Sequence, residues 1–165
     1  MKIKNTLYVL IGIPGCGKDT WIAKTFEALR GPYIVTPDDI RKEMGDIDNQ
    51  EDNHAVFNIA KGRITAALEC GHDVVINATN INTGFRRQML HEFKDYNIEA
   101  ILFDVDPAIA YERISKDIFR YRCRADVPEY VVYRMYGEFL YVKKVIKDEG
   151  FNAIHNAEDF RYNAE

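Results

Sequence analysis

Cysteine is scarce in this 165-residue chain. Cys16, Cys70 and Cys123 are odd in number and widely spaced, with no C-x-x-C pair. That excludes a disulfide framework and a thiol zinc or redox centre, and it favours a reduced compartment. Long apolar runs are missing too: nothing approaches the roughly 18 to 20 residues that cross a bilayer. Met1-Lys2-Ile3-Lys4-Asn5 leads straight into a short apolar stretch, unlike a secretion signal. A cytoplasmic protein with no membrane partner is expected. Charge of one sign is also lacking, since 22 Lys plus Arg against 26 Asp plus Glu leave a net charge of −4. A surface coated in positive potential for wrapping duplex nucleic acid is thereby excluded, and any polyanion has to be met by a local patch. His54, His72, His91 and His155 form no H-x-x-x-H spacing and no Ser/Cys partner pattern, which leaves them surface or helix-end roles.

What is present is an interior. Apolar residues make up 47% of the chain and aromatics 12%, enough for one core and incompatible with a wholly disordered chain. No repeat, linker or low-complexity tract interrupts it, so residues 1–165 read as one domain. Thr6 to Ile13 is a continuous apolar run ending near glycine, as in a strand buried on both faces of a parallel sheet. Gly17 to Leu29 reads as a helix ended by Gly31-Pro32, Tyr33 to Thr36 as a short strand, and Pro37 to Arg41 as a helix start. Phe57, Ala60, Ile64, Ala67 and Leu68 recur at helical spacing between Glu51 and Cys70, where Cys70 is expected to pack within the helix. Further strands are expected at Asp73 to Ala78, Ile98 to Val105 and Phe151 to His155. Further helices are expected around Phe85 to Phe93, from Ala108 to about Ser115 and from Pro128 to Glu149, with the stretch up to Arg124 ambiguous. Strand–helix alternation throughout predicts an α/β fold: a parallel sheet of about five strands with helices on both faces. Ligands then belong at the carboxyl ends of the strands.

Four polar clusters fall at such ends. The first, Gly12-Ile13-Pro14-Gly15-Cys16-Gly17-Lys18, matches G-x-x-x-x-G-K placed directly between a buried strand and a helix. Gly12, Gly15 and Gly17 let backbone N–H groups curl around phosphate, Cys16 supplies the small side chain the loop needs, and Lys18 reaches the β- and γ-phosphates. The next residue is Asp19, where the motif calls for a Ser or Thr hydroxyl on Mg²⁺, and Thr20 comes one residue too late to replace it. Asp19 is therefore the expected metal contact, direct or through water. In the second cluster, Asp38 and Arg41 are three residues apart on one face of a helical turn. The pairing suits a carboxylate that takes a proton beside an arginine that holds phosphate. The third cluster, Asn77-Ala78-Thr79-Asn80, precedes Arg86-Arg87. The fourth contains Asp104 and Asp106, second candidates for the metal. A basic segment, Arg113, Lys116, Arg120, Arg122 and Arg124, is interleaved with Phe119 and Tyr121 and reads as a lid over about 113–127.

These motifs together resemble the P-loop polynucleotide 5′-hydroxyl kinases of bacteriophage type. That family shows G-K-[ST]-T-W, an acid-acid-x-Arg step after the second strand, a T-N step after the third, and a lid arginine before a Val-Pro helix start. Here they read Gly17 to Trp21, Asp38 to Arg41, Thr79-Asn80 with Arg86-Arg87 following, and Arg122 before Val127-Pro128, over about residues 5 to 148. The resemblance implies a P-loop kinase fold and ATP-dependent transfer of the γ-phosphoryl to a nucleic-acid 5′ end, DNA or RNA, with Mg²⁺. It casts Lys18 on the donor phosphates, Asp38 as general base, Arg41 on substrate phosphate and Arg122 on transition-state charge. Gly12, Gly15, Cys16, Gly17, Asp19 and Thr20 would line the nucleotide, and Thr79, Asn80, Arg86 and Arg87 the acceptor. Two positions depart from the family: Asp19 replaces the hydroxyl, and Asn77-Ala78 stands where family members carry an aspartate. Phage relatives often add a C-terminal phosphatase domain, and at this length the kinase domain alone is expected.

Two other readings stay open on the sequence. A small-molecule P-loop kinase, acting on a nucleoside, nucleotide or sugar, fits the charge and length. A non-catalytic nucleotide-binding module fits less well, because the N-K-x-D guanine motif and the Asp-Glu strand end of motor ATPases are both missing.

Overall fold

A computed structural model describes residues 5–26, 31–45, 53–121 and 127–163, the side chains of 118–121 excepted. In chain order the elements are β1 (Thr6–Ile11), α1 (Lys18–Phe26), β2 (Tyr33–Val35), α2 (Pro37–Glu43), α3 (Asn53–Glu69), β3 (Val74–Ile76) and α4 (Thr83–Glu92). They continue with β4 (Asn97–Leu102), α5 (Pro107–Tyr121), α6 (Glu129–Val145), a 3₁₀ turn (Ile146–Asp148) and β5 (Ala153–Asn156). The five strands form one sheet in the order β2-β3-β1-β4-β5, and every pairing is parallel. All six residues of β1 are buried, and Leu7, Val9, Leu10 and Ile11 are fully so. Each such side chain contributes about 1.5 to 3 kcal/mol on burial, which places the central strand by hydrophobicity alone.

The order fixes where a ligand goes. From β1 the chain crosses to β2 on one side, then returns through β3 and passes on to β4 and β5. Right-handed crossovers put α1 on one face of such a sheet and α3, α4, α5 and α6 on the other. Side-chain contacts agree. Trp21 and Phe26 of α1 pack edge-on at 5.6 Å, and both meet the final segment, at Phe160 (5.6 Å) and Tyr162 (5.0 Å). On the other face Phe57 of α3 meets Phe85 of α4 at 4.9 Å. The helices following the neighbouring strands β1 and β3 thus leave on opposite faces, opening a crevice at their carboxyl ends.

One ambiguity is resolved and one expectation changes. Helix α5 continues through the ambiguous stretch as far as Tyr121, with Ala110 and Ile114 fully buried on its inner side. Cys70 is exposed just beyond α3 rather than packed within it. Among the described residues no helix is long and apolar enough to cross a membrane.

Candidate functional site

The segment between β1 and α1 is a tight loop with two glycines at positive φ, Gly15 (77°) and Gly17 (94°). At Gly15 a second reason forbids a side chain, because an added Cβ would lie 2.3 Å from the Ala110 carbonyl of α5. Helix α5 is therefore seated directly on the loop, and Arg113 Nη1 donates to the Gly15 carbonyl at 3.4 Å. Lys18 lies back across the loop, its Nζ donating to the carbonyls of Gly12 (3.1 Å) and Ile13 (3.2 Å) and standing 3.4 Å from Cys16 Sγ. The free N–H groups of the first turn of α1 and the Lys18 ammonium thus share one concavity, an anion site by geometry. Thr20 is exposed one position beyond it.

On the far side of β3, residue Thr36 follows β2 as the N-cap of α2, and Pro37 starts that helix with its φ already helical. Arg41 Nη1 donates to Asp38 Oδ1 at 2.7 Å, and Arg41 Nη2 to Asn53 Oδ1 at 2.9 Å. The Asp38 side chain is 79% exposed while that of Arg41 is 19% exposed, so the guanidinium is a fixed brace and the carboxylate faces solvent. With β3 between them, β1 and β2 are about 10 Å apart, twice the usual strand spacing. That gap suits a phosphoryl group and its acceptor.

Between these two arms stands the carboxyl end of β3. Asn77 is buried, its backbone N–H donates to the Val35 carbonyl (2.8 Å), and its Nδ2 donates to Asp19 Oδ1 at 2.7 Å. The Thr79 carbonyl accepts from Gly12 N–H at 3.1 Å. From Thr79 an open groove of about 770 Å³ runs between Ile81–Gly84 and the Arg134, Glu138 and Tyr141 side of α6.

Asn80 and Arg86 both hold this frame. Asn80 is buried at φ 50°, and its Nδ2 donates to Leu10 O at 2.7 Å, tying β3 to β1. Arg86 is fully buried. Its Nε and Nη2 grip Glu149 at 2.8 and 2.6 Å, its Nη1 donates to the Asn80 and Ile81 carbonyls at 3.0 and 2.6 Å, and Nη2 also reaches Thr83 Oγ1 at 3.2 Å. A guanidinium has five N–H donors. With all of them engaged, the expected acceptor contact of Arg86 is corrected: it clamps the backbone that displays Thr79. Arg87 is exposed instead, beside Thr83, Leu90, Asp148 and Glu149 in a cavity of about 150 Å³. Asp104 is held by Lys143 and by the Tyr136 hydroxyl (3.3 Å). Burial and then Asp104 push that phenol up, and the hydrogen bond to Asp104 does the same to Lys143. Asp106 caps α5 through Ala108 N–H at 2.8 Å. Both acids are thus partnered within the fold.

In the basic segment Lys116 pairs with Glu112 at 2.5 Å, holding that carboxyl below its usual range. Arg113 reaches the phosphate loop as described, a contact that counting lid cations does not single out. Arg122 and Arg124 lie outside the described residues, as does the side chain of Arg120.

A divalent cation fits Asp19 in one respect and not in another. A hard carboxylate at the loop mouth, with one oxygen bonded to Asn77 and the other open, is the ligand type Mg²⁺ takes. No group of three or more His, Cys, Asp or Glu gathers among the described residues. The ion would thus rely on nucleotide phosphates and water for the rest of its shell, as Mg²⁺ commonly does.

A glycine-rich phosphate loop at the switch point of a parallel 2-3-1-4-5 sheet defines the P-loop kinase fold. Within that class the chain belongs to the family described as AAA domain, whose model matches residues 7–139. No curated protein sequence matches it. A chain of the Pnkp1/Rnl/Hen1 RNA repair complex has a TM-score of 0.78 at 20% identity, covering 87% of this chain and 47% of its own. This protein thus spans about half the length of that relative. A candidate kinase from Chloroflexus aurantiacus (TM-score 0.63, 16% identity) covers 91% of this chain and all of its own. A gluconokinase from Sinorhizobium meliloti (0.57, 14%) covers 97% and 86%.

Proposed function

We propose that the protein is an ATP-dependent kinase that transfers the γ-phosphoryl group to the 5′-hydroxyl end of a polynucleotide. One observation carries the reading: the exposed Asp38 carboxylate, braced by Arg41, stands at the same carboxyl end of the sheet as Thr79, which lines an open groove beside α6. A polymer end needs such an exit for the strand behind it. The likeness to a chain of an RNA repair complex points the same way.

In this reading the loop N–H groups and Lys18 hold the donor phosphates. Mg²⁺ held at Asp19 would neutralise developing charge on them. Asp38 accepts the hydroxyl proton as the O–P bond forms and the bond to ADP breaks, while Arg41 fixes Asp38 and meets the acceptor's own phosphate. Thr79 and Arg87 border the acceptor path, and Arg122 closes from a lid over residues 113–127.

A second reading, a small-molecule kinase, draws on the gluconokinase likeness and on Arg134 and Glu138, which give the groove both signs of charge. Transfer from ATP to a 5′-hydroxyl oligonucleotide, a 3′-nucleotide, a nucleoside and gluconate, measured beside ATP hydrolysis, separates the two. The oligonucleotide is expected to be the best acceptor. A higher kcat/KM for gluconate or a free nucleoside overturns the proposal in favour of the second reading, and hydrolysis alone overturns both.

A further inference from the structure

Asp19 and Asn77 are 58 residues apart in sequence, yet they meet across the crevice between α1 and the end of β3. Asn77 is built into the frame: it is 8% exposed, and its backbone N–H continues the sheet ladder to Val35. Asp19 is exposed at the start of α1, beside the phosphate concavity. P-loop nucleotidases in general keep the neutral hydroxyl on the loop, after the lysine, and the carboxylate on a strand. Here the two chemistries have changed places: the acid is on the loop helix and a neutral donor is on the strand.

We propose that this exchange makes nucleotide binding conditional on a divalent cation, with Asp19 as the sensing charge and Asn77 as the residue that positions it. The inference rests on the P-loop nucleotide reading above. An anion one residue from Lys18 offsets part of the attraction that loop and lysine exert on a polyphosphate. A cation between carboxylate and phosphates converts that repulsion into two attractions. The Asn77 amide keeps Asp19 from turning away, because one carboxylate oxygen is bonded at 2.7 Å to a buried group and only the other is open. A serine in this place has no charge with which to reject the metal-free nucleotide.

The test is binding, by calorimetry, of ATP in EDTA and in saturating Mg²⁺, with Mn²⁺ titrations followed by electron paramagnetic resonance as a direct metal readout. In the wild type Mg²⁺ should raise ATP affinity roughly 100-fold, toward the upper end of usual site-to-site coupling. In Asp19→Asn the factor should fall below about 10, chiefly because metal-free ATP now binds more tightly. Asn77→Ala should retain the penalty on metal-free ATP but need more Mn²⁺ for half-saturation. The double change Asp19→Ser with Asn77→Asp, which returns acid and hydroxyl to opposite places, should recover Mn²⁺ affinity that Asp19→Ser alone loses. A purely structural pair would lower thermal stability in these variants and leave the Mg²⁺ factor unchanged. That outcome overturns the proposal, as does a wild type that binds ATP equally in EDTA and Mg²⁺. If such a wild type still phosphorylates oligonucleotides, the kinase reading stands and only this inference falls.

Discussion

The two ends of the sheet are built from similar residues and treated differently. At the amino end, polar side chains close on one another. Asp73 accepts from Thr6 N–H (2.7 Å) and from the Tyr162 hydroxyl (2.9 Å), and Asn97 Nδ2 donates to Thr6 Oγ1 (3.0 Å) and Glu99 (2.7 Å). Asn152 accepts from Ile98 N–H at 2.8 Å. At the carboxyl end, groups are left with open valences. Among the described residues the buried side-chain atoms without a partner are Arg41 Nε and Asn80 Oδ1, and both are there. An unpaired buried polar group costs about 1 to 3 kcal/mol. The amino end therefore closes its polar groups on one another, and the carboxyl end keeps two buried polar atoms unpaired.

That contrast is open to attack by mutation. Lys18→Ala should abolish transfer, losing at least the roughly 10²- to 10³-fold typical of one charge-stabilising donor, with the melting temperature unchanged. A mutant with near-normal turnover breaks the phosphate-loop assignment. Arg86→Ala tests the exception, a carboxyl-end residue with no open valence. Leaving Glu149 and two carbonyls unpaired should cost about 3 to 5 kcal/mol, read as a lowered denaturant midpoint. Retained stability with lost oligonucleotide affinity would return Arg86 to the acceptor. Asp38→Asn should slow single-turnover phosphorylation by roughly 10²-fold or more while ATP still binds. Asp39→Asn is the control, since the next helical residue points about 100° away. If Asp39 proves the sensitive acid, the base assignment is wrong.

The smallest effect belongs to the amino end. Burial, then Asp73 and Glu99, pushes the Tyr8 phenol up to about 12, and burial with the Asp73 hydrogen bond raises Tyr162 as well. A phenol whose pKa is raised by folding gives stability that is complete below its unfolded value near 10 and fades as pH climbs toward the folded value. Tyr162→Phe should therefore cost about 1 kcal/mol at neutral pH and flatten the alkaline loss of stability over the interval above about pH 10. Urea midpoints across that interval check it.

Strand and helix positions were readable from the sequence because they are local: the apolar run at Thr6–Ile11, the helical spacing through Ala60 and Ile64, and the glycine loop ahead of Lys18 each carry their own signal. The pairing of polar groups was not. Arg86 and Arg87 are adjacent in sequence, and nothing nearby says that one faces Glu149, 63 residues on, while the other meets solvent. Asp104 offered the same acid as a metal ligand would until Lys143, 39 residues away, took it. Asn77 is legible in the sequence as part of a polar strand end and as a departure from a family pattern. Its meaning came from the tertiary contact with Asp19.

The Arg86–Glu149 clamp has a consequence for how such chains diverge. Losing Glu149 strands a fully buried guanidinium, and losing Arg86 strands a carboxylate only 14% exposed, so drift through the single changes is costly. Only a concerted replacement, or a prior gain of stability elsewhere, opens the path. Across related sequences the two positions should accordingly switch together, arginine with acid or apolar with apolar, and an apolar residue facing a retained acid should be rare.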